Sequence, residues 1–323
     1  MVGAMDTGCP VPVIAPRRLA LLAMFAAVSI YGGQFVSVRW GLQSGLSAYD
    51  MAALRFIFAA AVMAPFFVRA GVIDCAGLGW GKGIALALTG GVPLTVLSNI
   101  GLNYAPAAHA SAIQPGMVAV TATTLAYLGM RARVPFGAMV GFSIVLVGLT
   151  AIAIAGSSGR EGPLTILGDL LFVFCGVGWG IFTWLCGRWQ VPSVVGASIV
   201  STLSAVAFLP VYVALLDPGL TTVSWPILLF HGVNQGVLNI AIGLLLWTYG
   251  TRTLGVALAA RFPPMIPVLG TLIGIPALGE IPTPLAGAGV AAIVVGLLVA
   301  AAAGTGRARP SASVNAPETA DRA

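Results

Sequence analysis

Ten apolar stretches, each long enough to cross the roughly 30 Å hydrocarbon core of a bilayer as a helix, divide this sequence between short loops. They run Leu19–Val38, Tyr49–Val68, Gly83–Asn103, Ala108–Gly129 and Phe136–Ala155, then Leu167–Cys186, Val194–Leu216, Ile227–Tyr249, Gly255–Leu278 and Leu285–Ala303. The break between the third and the fourth rests on Tyr104-Ala-Pro106. Only 7% of the 323 residues are charged, against about 25% in a soluble domain, so the charge that would solvate a globular surface is missing. That excludes a cytosolic enzyme, a disordered chain and a DNA-binding module, and no nucleic-acid partner is expected. Forty-two glycines and 21 prolines would harm a soluble bundle, whereas in a bilayer neighbouring helices satisfy the backbone groups they free. The expected fold is all-α and integral to the membrane, with the lipid bilayer as its surroundings.

Basic residues test that division independently, because Lys and Arg collect in cytoplasmic loops. An N-terminus inside puts Arg17, Arg18, Arg69, Lys82, Arg131, Arg133, Arg188, Arg252, Arg307, Arg309 and Arg322 in the cytoplasm. Only Arg39 and Arg160 fall outside, while Arg55 and Arg261 lie within spans. Losing or adding a span near the middle would destroy this eleven-to-two split. Ten spans in an inner or plasma membrane, with both termini cytoplasmic, are therefore expected. Arg17-Arg18 ahead of an apolar run also resembles a signal peptide, but the run is longer than an h-region and lacks a clear cleavage site. Residues 1–17 and 304–323 read as tails, the second small, polar and disordered. Cys9 and Cys75 face the reducing cytoplasm, and Cys175 and Cys186 stand eleven residues apart on one helix, about 16 Å along its axis. All four read as free thiols.

The chain also repeats itself. Tyr31-Gly32 matches Trp179-Gly180, and Gly141, Gly148 and Gly156 match Gly289, Gly296 and Gly304, all at an offset of 148. Gly101 matches Gly250 and Pro115 matches Pro264 at 149, and Leu128-Gly129 matches Leu278-Gly279 at 150. Two five-helix halves follow, 18–156 and 163–303. An odd helix count makes the second half enter the membrane opposite to the first, an inverted repeat of the kind that secondary transporters place around a midplane substrate site.

Several of these residues carry a family likeness. The first half has Tyr31-Gly-Gly-Gln-Phe35, Ala52-Ala-Leu-Arg-Phe56, Asn99-Ile-Gly-Leu-Asn-Tyr104, His109-Ala-Ser-Ala-Ile-Gln-Pro115, Leu128-Gly129 and the Gly141 to Gly148 helix. The second has Gly168-Asp169, Gly178-Trp-Gly180, Leu246-Trp247, Ala257 to Pro264 and Leu278-Gly-Glu280. In this order and spacing, from about Arg18 to Ala303, the chain resembles the EamA type of the drug/metabolite transporter superfamily. It departs from the family pattern in the first half, with Leu128-Gly-Met130 in place of Leu-Gly-Glu and Gln114 where a Glu often precedes the proline. Both departures remove a carboxylate. The resemblance implies transport of small metabolites such as amino acids, without a cofactor, and the expectation taken forward is an exporter. A passive channel or facilitator is the alternative, and a membrane-embedded sensor or enzyme stands behind it.

Polar residues inside a membrane are costly, which makes each a functional candidate. The eighth span carries His231, Asn234, Gln235 and Asn239, which at 100° per residue form one stripe, either a substrate-bonding lining or interhelical glue. The third span repeats the theme with Thr95, Ser98, Asn99 and Asn103. Arg261 precedes Pro263, Pro264 and Pro267, and a fixed cation beside a discontinuous helix suits a carboxylate. Snorkelling to the cytoplasmic face is its other reading. Arg55, nearer the outer end of its span, reads first as a snorkelling or anchoring residue. Tyr31 and Trp179, repeat-related and near mid-span, are candidate cavity walls. Together with Gln34, Asn99 and Gln114 these make the candidate substrate-binding set. The carboxylates all lie in loops, tails or span edges, so no dedicated midspan proton relay is expected, and two histidines without a Cys/Asp/Glu cluster leave no zinc site. Oligomeric state, monomer or homodimer, stays open at this level.

Overall fold

The computed structural model describes residues 15–158, 164–216 and 219–305. The expected disordered tail beyond 305, the residues before 15, Arg160 and Glu161 lie outside the described residues. The described residues contain helices and turns and no strand. The first half holds α1 (Ala15–Gln43), α2 (Ala48–Ala70), α3 (Trp80–Gly90), α4 (Val92–Tyr104), α5 (Ala107–Gly129) and α6 (Phe136–Ser158). The second holds α7 (Thr165–Arg188), α8 (Ser193–Leu215), α9 (Trp225–Gly232), a π-helical run Val233–Ile242, α10 (Gly243–Leu254), α11 (Val256–Ala259), α12 (Met265–Leu278) and α13 (Pro284–Thr305). Both expected tails are shorter than the sequence suggests, since α1 starts at Ala15 and α13 continues to Thr305.

Eight helical stretches are long and apolar enough to cross a membrane, among them Trp80–Tyr104, which joins α3 to α4, and Trp225–Leu254, which joins α9, the π run and α10. The other two expected spans differ for physical reasons. α5 has the length, 23 residues, but carries His109, Ser111, Gln114 and three threonines, Thr121, Thr123 and Thr124. The ninth span is interrupted: Pro263 and Pro264 end the helical turn of α11, and α12 proper has only 14 residues.

Local chemistry sets the breaks. α3 and α4 part at Gly91, where a Cβ would stand 2.2 Å from Ala87 O and 2.3 Å from Ser204 Oγ; the Ser204 hydroxyl also accepts from Val92 N at 3.2 Å. α2 opens on a capping box: Asp50 N donates to Ser47 Oγ at 3.1 Å and Ser47 N to Asp50 Oδ2 at 2.7 Å. The other Asp50 oxygen accepts from the Tyr212 hydroxyl of α8 and from Gly219 N. Tyr212→Phe is therefore expected to destabilise the protein by about 1–3 kcal/mol, because it withdraws a charge-assisted donor from a buried carboxylate. Thermal unfolding of the detergent-purified variant checks this.

The halves interleave. α1 packs against α12 and α10, and its repeat counterpart α7 packs against α5 and α4. These seams run through the small residues noted above. A Cβ on Gly32 would lie 2.9 Å from Gly270 N, and Cβ atoms on Gly176 and Gly180 would lie 2.8 Å from Gln114 O and 3.1 Å from Val118 O. Gly176, Gly180, Gly270 and Gly274 are thus seated against neighbouring helices of the same chain. α6 and α13 cross antiparallel, Gly141 against Gly296 and Gly148 against Gly289. At the offset of 148 Gly141 corresponds to Gly289 and Gly148 to Gly296, so exchanging the halves exchanges these two contacts. The chain segment between α2 and α3 folds over Cys75, whose thiol is buried against Gly83. Burial first, and Asp74 second, push that thiol up from its ordinary value, so Cys75 is expected to resist maleimide near neutral pH. Cys75, Cys175 and Cys186 are free thiols.

Candidate substrate site and its closed end

The polar side chains that the two halves bring together centre on Arg55. Seven residues past Ala48, the start of α2, it lies about 10 Å in from the end of the bundle that carries the α1–α2 turn. Its relative exposure is 9%, and its side chain points inward rather than snorkelling. Arg55 Nη1 donates to Gln34 Oε1 of α1 at 3.2 Å and to Gln235 Oε1 of the π run at 3.3 Å. Gln235 in turn donates through Nε2 to Gln34 O at 3.2 Å. Gln34 and Arg55 come from the first half and Gln235 from the second, so this cluster bridges them. Arg55 Nε is buried and finds no hydrogen-bond partner among the described residues. Tyr31 lies within electrostatic reach of the guanidinium, and its ring tilts against Trp247 at 6.4 Å. A Cβ on Gly243 would stand 3.0 Å from that ring.

Gln114 sits at a matching depth, seven residues past Ala107 at the start of α5. Its Nε2 donates to Ser98 Oγ of α4 at 2.7 Å. Asn99, the next residue, braces helices instead: its Nδ2 donates to Ala48 O at 3.1 Å. The eighth-span stripe lies along α1. His231 is fully buried, its Nδ1 3.2 Å from Ser37 Oγ and its ring between Trp40 and Phe230. Asn234 opens with Ser29, Gly33 and Ser37 onto a groove of about 480 Å³ bounded by Phe230, Ile273 and Ala277. Asn239 is buried with an unpartnered Nδ2. The π run widens the helical turn here, a rare deviation that is frequent at functional sites. Trp179 stands elsewhere, edge-on to Phe182, whose ring fits the gap at Gly90 of α3.

Arg261 is exposed, on the turn between α11 and α12. With α12 about 21 Å long at 14 residues, it falls at the opposite end of the bundle from Glu280. The discontinuous helix is present, but the cation beside it faces outward, and the inward cation is Arg55. Arg261→Ala is expected to leave substrate affinity within about twofold of wild type, as surface substitutions usually do; an uptake titration reads this directly.

Three carboxylates, Asp50 and Asp169 buried and Glu280 partly so, tie helices together at one end of the bundle. Arg39, near the end of α1, pairs through Nε with Glu280 Oε1 at 2.9 Å and donates through Nη1 to Leu102 O. Glu280 Oε2 accepts from Ala107 N, the first residue of α5, at 2.9 Å. His109 Nδ1 meets Asp169 Oδ1 of α7 at 2.9 Å, and Asp50 holds Tyr212 and the 219–222 turn. All three carboxylates lie at the α1–α2 end, with the Arg39–Glu280 ion pair and the His109–Asp169 hydrogen bond. Their repeat counterparts at the other end are Met130 for Glu280 at an offset of 150, and Leu21 for Asp169 and Ser198 for Asp50 at 148. Arg39-Trp40 does recur, as Arg188-Trp189 at 149. Arg188 lies against Gly129, next to Met130, but its guanidinium rests on the Trp184 ring at 5.5 Å. A latch residue is present at the second end without its carboxylate. The legible signal for the Arg39–Glu280 pair was that both fall on the same side in the ten-span layout; the backbone contacts to Leu102 and Ala107 had none.

Among the described residues no group of three or more His, Cys, Asp or Glu is arranged to hold a metal. The sequence matches the EamA-like transporter family twice, over residues 18–154 and 166–302. A solved structure described as "Crystal structure of protein" superposes with a TM-score of 0.58 at 22% identity, over 88% of this chain and 96% of that one. It supports the fold. No curated protein matches the sequence.

Proposed function

This chain belongs to the EamA-like transporter family as a multi-pass membrane protein with two EamA repeats, and from that premise we propose that it is a secondary transporter working by alternating access. Its cargo is small polar metabolites such as amino acids or related compounds, its direction export across the inner or plasma membrane. Ten spans arise when α3–α4, α9–π–α10 and α11–α12 each count once, with residues 18–156 and 163–303 as the halves. The antiparallel, self-exchanging crossing of α6 and α13 supports a two-fold axis perpendicular to both helices, which is the axis of an inverted repeat. The excess of basic residues places both termini in the cytoplasm, so the Arg39–Glu280 end is the outer one.

One observation carries the reading: carboxylates tie helices at one end and are missing from the repeat-related positions of the other. Two halves of the same architecture are held in different states about a shared polar cluster. α5 is continuous and tied at its first residue by Glu280, whereas its counterpart is broken between α11 and α12. Exchange of those two states moves access from one side of Arg55 to the other. Such a change needs a bistable element that ligand can bias.

The test is flux in proteoliposomes against a panel of amino acids, amines and organic acids, with and without a pH gradient. Saturable uptake at transporter rates is expected. Absence of any saturable uptake, or ion conductance at channel rates, would overturn the proposal.

A further inference from the structure

We propose that Arg55 is the anion-binding residue of the transport site and that the cargo is a small monocarboxylate, an inference that rests on the transport reading above. A guanidinium held inside a membrane protein normally has an anionic partner, because an uncompensated charge in low dielectric is costly. Arg55 has two neutral amide oxygens, those of Gln34 and Gln235. None of the three carboxylates at this end pairs with it: Glu280 is held by Arg39 and Ala107 N, Asp169 meets His109 through Oδ1, and Asp50 is held by Tyr212, Ser47 N and Gly219 N. The glutamines leave the cation its full charge, and Nε keeps an unused donor. A single fixed cation with spare donors in its planar fork matches one carboxylate, which can accept two parallel N–H bonds from arginine.

Charge balance narrows the cargo further. A monocarboxylate neutralises Arg55. A phosphate dianion would leave a net negative charge in the same low-dielectric site, and no second buried cation stands in the cluster to meet it. An amino acid would also bring an ammonium, and the cluster of Gln34, Arg55 and Gln235 holds no carboxylate to receive it. The rest of the cargo is therefore neutral, with Tyr31 and Trp247 as an apolar wall and the Gln114–Ser98 pair at the same depth to bond a hydroxyl or carbonyl group. The bridge from Gln34 through Arg55 to Gln235 also explains how occupancy would reach both halves. A carboxylate drawing Nε and Nη groups toward itself competes with the two amides that join α1 to the π run.

The test uses the full-length protein in proteoliposomes and in detergent, with lactate and its neutral isostere lactamide as probes, alongside alanine, glycerol phosphate and ethanolamine. Saturable lactate counterflow is expected, with lactamide at background. Arg55→Gln should raise the half-saturating lactate concentration roughly 10- to 100-fold, the worth of a hydrogen bond to a charged group. Arg55→Lys, which keeps the charge and loses the fork, should fall between. Saturable flux of amino acids, amines or phosphate esters with none of lactate would overturn the inference and leave the transporter reading standing. No saturable flux of any probe would sink the transporter reading itself. Should Arg55→Gln fail to fold, thermal shift of the wild type decides: a rise in Tm with lactate but not lactamide supports the site, and equal shifts overturn it.

Discussion

On the proposed orientation and cycle, a Glu280→Gln variant is expected to open the outer end: a cysteine placed at Ser98 should react with a membrane-impermeant maleimide some 10- to 100-fold faster than in the parent. The substitution keeps shape and removes charge. Arg39 and Glu280 expose only 22% and 16% of their side chains, so the pair is poorly screened, and each partner also holds backbone, Leu102 O and Ala107 N. Breaking a partly buried, hydrogen-bonded pair by taking one charge leaves the other uncompensated, about 1.5–3 kcal/mol for interactions of this kind. That energy belongs to one state of the protein alone and shifts the population between states. Met130→Glu is the complementary change. It puts a carboxylate at the repeat counterpart of Glu280, next to Gly129, where Arg188 already lies. In the Glu280→Gln background it should close the opposite end, shift the population further toward the outward-open state and speed labelling from the outer side again. Unchanged labelling in Glu280→Gln would show that the pair does not decide closure.

The second large effect concerns folding. Gly141→Leu is expected to abolish accumulation of folded protein, a loss above about 4 kcal/mol. A Cβ there would lie 2.5 Å from Gly296 O and 2.6 Å from Ala300 N. Both are backbone atoms of α13, so no rotamer change relieves the clash and the helices must separate. In a bilayer that separation removes the close packing on which helix association depends. Gly287, also on α13, meets nothing within 4 Å, and Gly287→Ala should leave yield and Tm unaltered. Monodisperse elution and thermal stability in detergent would compare the two. A well-folded Gly141→Leu would mean that the α6–α13 crossing is softer than its geometry implies.

Legibility followed the range of the interaction. Hydropathy runs located the eight stretches long and apolar enough to cross a membrane, because the cost of exposing a peptide group to lipid acts on each segment separately. The two departures, α5 and the broken ninth span, arise where polar side chains and prolines weaken that signal: His109, Ser111 and Gln114 in one, Pro263 and Pro264 in the other. The polar stripe from His231 to Asn239 was legible as a stripe, yet not what it faces, since that depends on where α1 runs. Arg55 and Arg261 show the same limit. Both are single arginines in apolar spans, and sequence position alone weighted Arg261 by its neighbouring prolines. Burial reverses that weighting, with Arg55 enclosed by helices from both halves and Arg261 on an exposed turn.

By itself the sequence determined the membrane class, the eight apolar spans, the repeat and the family, all of which rest on local composition or on spacing along the chain. Tertiary structure alone decided which end the carboxylates tie together, which arginine is enclosed and which partner each carboxylate meets. Glu280 meets Arg39 across 241 residues and Gln235 meets Arg55 across 180. A charge in low dielectric takes its meaning from the neighbour that compensates it, and that neighbour is chosen by how the helices pack.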